Sequence, residues 1–144
     1  MLRPEFVFLW LCVLIFGPRD QFCRADLGTA SQYYGSPSYR PTACYGSDPM
    51  QFPTTDYFAA AGEDIWDRGA ACGRQYLVQC LRGPLTQGCA SNQTIQVKIV
   101  DRAQTSVSRP AVAGATLILS HTAFMAIANP AVHVVNSQYQ QIIS

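Results

Sequence analysis

Asp101 closes the alternating run Val97-Lys98-Ile99-Val100-Asp101. A carboxylate at the end of a strand can stand over a cleft as an acid, a base or a hydrogen-bond acceptor. Tyr33 and Tyr34 are adjacent in the first third of the chain. Their rings offer large apolar faces at little rotamer cost, and strand neighbours face opposite ways, so one packs inward as the other turns out. His121 and His133 read as ordinary surface or packing residues. No Gly-rich phosphate loop and no cluster of metal ligands occurs, so no cofactor is implied.

The elements that must position these residues begin after a leader. Arg3 precedes an apolar run from Phe6 to Phe16, and Cys23-Arg24-Ala25 places small residues where a signal peptidase inspects them. Residues 1–25 therefore read as a signal peptide. The apolar run is shorter than the roughly 20 residues needed to span a bilayer, so no membrane insertion of the mature chain is expected. Residues 26–144 are sized for one domain with one core. They carry seven basic and seven acidic residues, which removes the electrostatic footprint expected for nucleic acid or an anionic membrane.

Beyond the leader remain Cys44, Cys72, Cys80 and Cys89. In an oxidising compartment four cysteines imply two disulfides, with three pairings open. None sits at C-x-x-C spacing and both histidines are far away in sequence, which argues against structural zinc. Asn92-Gln93-Thr94 is a sequon in a polar loop.

The element pattern is mostly β with two short helices. Gly28 to Gly35 reads as an opening strand. Thr54 or Thr55 can cap a helix carrying Phe58, Ala61 and Ile65 and ending at Gly69, with Trp66 at the core edge and Asp64 and Arg68 at i,i+4 spacing. Residues 74–81 and 94–101 read as strands, the second alternating Ile95, Val97 and Ile99 with Gln96 and Lys98. A brief strand at 115–119 precedes a helix capped by Ser120 that carries Phe124 and Ile127 and stops at Asn129-Pro130. The last strand covers about 132–142, with Val135 and Tyr139 on one face.

Five segments in this order, GTASQYYG, ACYG, FAAAGEDIWDRGAACGR, VKIVDR and LSHTAFMAIANP, resemble the plant natriuretic peptide-like or blight-associated proteins. Their domain is related to expansins, barwin and family-45 endoglucanases. The resemblance implies a mainly β fold, a six-stranded double-psi β-barrel with short peripheral helices, secreted to the plant extracellular space, the apoplast. It also implies the disulfides Cys44–Cys72 and Cys80–Cys89.

Asp101 matches an aspartate that is catalytic in bacterial relatives with this barrel, the lytic transglycosylases. Glycoside hydrolysis usually needs two carboxyl groups. Many plant members read I-D-L-S where this chain reads Leu117-Ile118-Leu119-Ser120, and no carboxylate follows Asp101. Asp101 thus reads as a groove-lining or structural hydrogen-bonding residue and the protein as a non-enzyme. Ala103 stands where D-R-C-P members carry cysteine, and residues 103–114 form a longer Ser- and Pro-containing loop.

Two roles follow from the resemblance. The first is an extracellular signalling protein that engages a plasma-membrane receptor and alters ion, water and solute balance in stress or pathogen responses. The alternative is a non-hydrolytic module that binds cell-wall polysaccharide, with Tyr33, Tyr34 and Asp101 as the candidate groove.

Overall fold

The computed structural model describes residues 25–34, 39–82 and 88–143. The leader reading falls, up to residue 24, outside the described residues. Six strands, β1 (Asp26–Gln32), β2 (Phe58–Ala61), β3 (Gln75–Cys80), β4 (Thr94–Arg102), β5 (Leu117–Leu119) and β6 (Val134–Ile142), close into a barrel in the order β1-β5-β2-β4-β3-β6. The pairs β1–β5 and β2–β4 are parallel and the other four are antiparallel. Closure removes the unpaired strand edges that would otherwise invite aggregation. Among the described residues no helix is long and apolar enough to cross a membrane.

Period-2 alternation divides the apolar residues between two clusters. Ala59, Ala61, Val78, Ile95, Val97, Ile99, Leu117 and Leu119 fill the barrel, joined by Phe124 and Ile127 from a helix, α2 (His121–Ile127). Their strand neighbours Phe58, Ala60, Val100 and Ile118 point outward into a second cluster with Tyr33 and Ala115. Tyr39, Tyr45 and Phe52 of the 39–57 segment pack against that cluster, Tyr39 and Phe52 with their rings edge-on to Phe58 at 4.8 and 4.7 Å. Ser120 caps α2 as its sequence suggests, its hydroxyl accepting the Ala123 N–H.

The helix expected from Thr54 or Thr55 to Gly69 is not formed as such. Phe58–Ala61 is a strand buried throughout, and only Glu63–Trp66 is helical, here α1. The apolar spacing there fits either period, and pairing on both flanks, with β4 and β5, decides for β. Thr55 instead accepts the Tyr57 N–H in a local turn. Gly62 opens α1 where a Cβ would lie 2.2 Å from the Ala115 carbonyl oxygen. Asp67 and Arg68 then adopt left-handed backbone, φ 53° and 51°, which ends helical spacing before Arg68. Helical i,i+4 geometry for Asp64 and Arg68 is therefore lost; among the described residues Arg74 pairs with Asp67 at 2.7 Å and Arg102 with Glu63 at 2.8 Å.

Candidate functional site

A bulge sets the orientation of Asp101. Along β2 and β4, Ala59 pairs with Ile99 but Ala60 pairs with Asp101, so Val100 is the extra residue. Continued alternation from Ile95, Val97 and Ile99 would send Asp101 into the barrel. The bulge turns it outward instead, a common use of such irregularities. There Asp101 Oδ1 accepts the backbone N–H groups of Ala43 and Arg102, each at 2.8 Å. The residue is 1% exposed.

Tyr33, 2% exposed, lies over the same outer face. Neither its hydroxyl nor Asp101 Oδ2 has a hydrogen-bond partner. The Ser106 hydroxyl stands close enough to favour the charged form of both. It is nevertheless committed elsewhere, donating to the Ser108 carbonyl at 2.8 Å and accepting the Ser108 N–H at 3.2 Å. Burial pushes the Asp101 carboxyl above the usual carboxylate range, against the pull of the Ala43 and Arg102 N–H bonds. Burial, and next the nearby Asp101 charge, hold the Tyr33 phenol well above its ordinary value.

The structure does not place Tyr33, Tyr34 and Asp101 together on one open surface. Tyr33 and Asp101 are buried, with Ser106 beside both and the Ala43 loop bonded to Asp101, whereas Tyr34 is 67% exposed. Only Tyr34 of the three presents a ring to solvent, because the chain leaves β1 with Tyr33 packed on Phe58 and Tyr39. The Tyr34 N–H donates to the Arg109 carbonyl at 2.6 Å, Tyr33 bridges to Pro110, and the Ala111 N–H reaches the Gln32 carbonyl at 2.8 Å.

Arg109 and Pro110 belong to the wall of an open cleft of about 730 Å³ between this segment and α1, lined also by Glu63, Asp64, Gln104 and Ser106. Glu63 is gripped there by Arg102, whose Nε and Nη2 donate to its two carboxylate oxygens at 2.8 and 3.0 Å, which holds its carboxyl below the ordinary range. The Arg102 guanidinium also lies over Trp66, 5.7 Å from the ring centroid. Ser106, Arg109 and Glu63 were not singled out by sequence reasoning. Separation along the chain of Arg109 from Tyr34, and of Glu63 from both, hides the convergence, which depends on the 109–111 stretch bonding to residues 32–34.

Ile118, where the resemblance implies an aspartate in I-D-L-S members, joins the same cross-strand row. Ala60 pairs with Asp101 on one side and with Ile118 on the other. Ile118 is buried there among Tyr33, Phe58 and Val100, an apolar contact where a carboxylate would need partners. Two more concavities are present. One of about 600 Å³ is lined by Met50, Gln51, Gln75, Gln93, Gln96 and Lys98, among others. The other, of about 530 Å³, includes Tyr39, Asp56, Phe58 and His121. His121 and His133 are exposed. Among the described residues no group of three His, Cys, Asp or Glu could hold a metal ion.

Disulfides join Cys44 to Cys72 and Cys80 to Cys89. The first anchors the loop that supplies the Ala43 N–H, and the Cys44 N–H itself donates to the Val100 carbonyl at 3.3 Å.

A family model described as "Lytic transglycolase" matches residues 59–139. The EG45-like domain containing protein of Citrus jambhiri is 35% identical over 122 residues, which cover 81% of this chain and 82% of that protein. The putative EG45-like domain containing protein 1 of Arabidopsis thaliana is 36% identical over 83 residues, 56% of this chain. The matched region spans only 62% of that relative's length. Among solved structures, the apo expansin of Clavibacter michiganensis superposes with a TM-score of 0.58 at 19% identity, covering 84% of this chain and 52% of the expansin chain. A point mutant of that expansin, solved in complex with cellohexaose, gives the same TM-score. At this identity the likeness establishes the fold, a double-psi β-barrel of the expansin type.

Proposed function

This chain belongs to the double-psi β-barrel family of EG45-like domain proteins, and from that premise we propose that it is a secreted, non-hydrolytic module that binds cell-wall polysaccharide in the apoplast. The observation that carries this reading is an exposed aromatic ring, Tyr34, whose backbone is bonded to Arg109 in the wall of an open cleft of mixed lining. A sugar ring stacks on such a face, while Gln104, Arg109 and Asp64 supply donors and acceptors for its hydroxyls. The expansin that shares the fold was solved with cellohexaose, a neutral oligosaccharide of the class such a cleft suits.

Asp101 and Tyr33 act from below. Asp101 fixes the 39–44 loop through the Ala43 N–H, and Tyr33 supports the strand exit that presents Tyr34. A hydrolytic reading would pair Asp101, with its raised pKa, as acid and Glu63, with its lowered pKa, as base. The seal over Asp101 argues against it, because an acid must reach the glycosidic oxygen. Glu63 is in addition tied to Arg102.

Titration with cellohexaose, followed by amide chemical shifts, tests the site. Shifts are expected at Tyr34 and along 103–110, with Tyr34→Ala weakening binding several-fold at unchanged thermal stability. Shifts confined to other faces, or an undiminished affinity in Tyr34→Ala, contradict the assignment. Failure to bind any wall fraction would favour the signalling reading, in which the partner is a plasma-membrane receptor.

A further inference from the structure

We infer that Asn92 carries an N-linked glycan, attached before β4 docks onto the barrel, which shields the amide-lined trough between the 50–57 segment and the β3–β4 face. The inference rests on the secretion included in the proposed function. Asn92-Gln93-Thr94 is the one sequon in the chain. Asn92 is exposed in the turn leading into β4, and it is its carbonyl that the Gln79 side chain engages, at 3.0 Å. That contact uses the Asn92 backbone and not its side-chain amide.

Thr94 supplies the order of events. It is the first residue of β4, paired with Gln79, and its hydroxyl is buried without a hydrogen-bond partner. A glycosyltransferase that reads the sequon must contact that hydroxyl, which is accessible only while the strand is undocked. In the transfer, Asn92 Nδ2 bonds to the anomeric carbon of a lipid-pyrophosphate-linked oligosaccharide. The carbon–oxygen bond to pyrophosphate breaks, the amide loses one proton, and the lipid pyrophosphate leaves.

The glycan's position bears on ligand binding. Gln93 and Thr94 line the trough together with Gln75, Gln96, Met50 and Lys98. A glycan rooted one residue earlier stands at its rim. Polymer is then left the cleft beside Arg109 and Tyr34.

The experiment is intact-mass analysis of the full chain secreted from plant cells, before and after N-glycosidase treatment, with its own leader and separately with a substituted one. Wild type and Thr94→Ser should lose one glycan mass; Asn92→Gln and Thr94→Val should have none to lose. Thr94→Val should still melt no lower than unglycosylated wild type, because it replaces an unpartnered buried hydroxyl by a group of the same shape. Absence of a glycan on wild type secreted through the substituted leader would overturn the inference, as would its persistence in Asn92→Gln. Secretion only with the substituted leader, glycan present, would contradict the secretion reading and with it a glycan on the natural protein, while showing that the sequon itself is competent. Incubating folded, unglycosylated protein with the transferase and glycan donor should give no product, whereas the reduced, unfolded chain should be modified; equal modification would overturn the stated order. Unchanged cellohexaose affinity in Asn92→Gln is expected, and a several-fold gain would assign the polymer to the trough instead.

Discussion

Asp101 combines two opposed effects in one side chain. Oδ1 organises the Ala43 and Arg102 N–H groups, while Oδ2 is buried without a partner. Because burial raises its folded pKa above the unfolded value, near 3.9 for a free aspartate, folding favours the protonated form. The sign follows from linkage. As pH rises from the unfolded pKa to the folded one, the native state loses stability through this group, and above the folded pKa the loss is complete. Asp101→Asn keeps an oxygen for the two N–H groups and removes the charge. It should be more stable than wild type at pH 7, with the gap narrowing as pH falls toward 4, read by urea unfolding at both values. Asp101→Ala leaves the N–H groups without their acceptor and should cost about 1–3 kcal/mol. A pH-independent difference between Asp101→Asn and wild type would contradict the buried-charge account.

At the scale of elements, the strands with clear alternation were legible in the sequence. Ile95, Val97 and Ile99 face the core as their spacing requires, and Ser120 caps its helix as its side chain allows. The FAAA stretch was not legible, because alanine fits either period and the deciding term is pairing with β4 and β5, both distant in sequence. The bulge at Val100 was equally hidden, since a register shift leaves no compositional mark. For that reason Asp101 could be placed at a strand end from sequence but not on a face. Gly62 marks the same junction. Adding a methyl there drives it against the Ala115 carbonyl, so Gly62→Ala should destabilise by about 1–3 kcal/mol, measured by thermal and urea unfolding. Wild-type stability would mean that the β2–α1 junction is looser than the structure has it.

At the scale of the whole molecule, the barrel withdraws its most suggestive carboxylate from solvent and leaves an aromatic ring and an open cleft outside. Ile118 completes that arrangement, filling with hydrocarbon the position where relatives of the I-D-L-S type carry a second acid. That arrangement is what the proposed reading requires, a surface that holds polysaccharide without cleaving it. The most direct test is retention of the secreted, disulfide-intact protein on isolated plant cell walls, with Tyr34→Ala and Asp101→Asn alongside and released sugars assayed in the same samples. The account predicts retention that falls several-fold in Tyr34→Ala, persists in Asp101→Asn, and releases no sugar in any sample. Sugar release by the wild type that is lost in Asp101→Asn would contradict it.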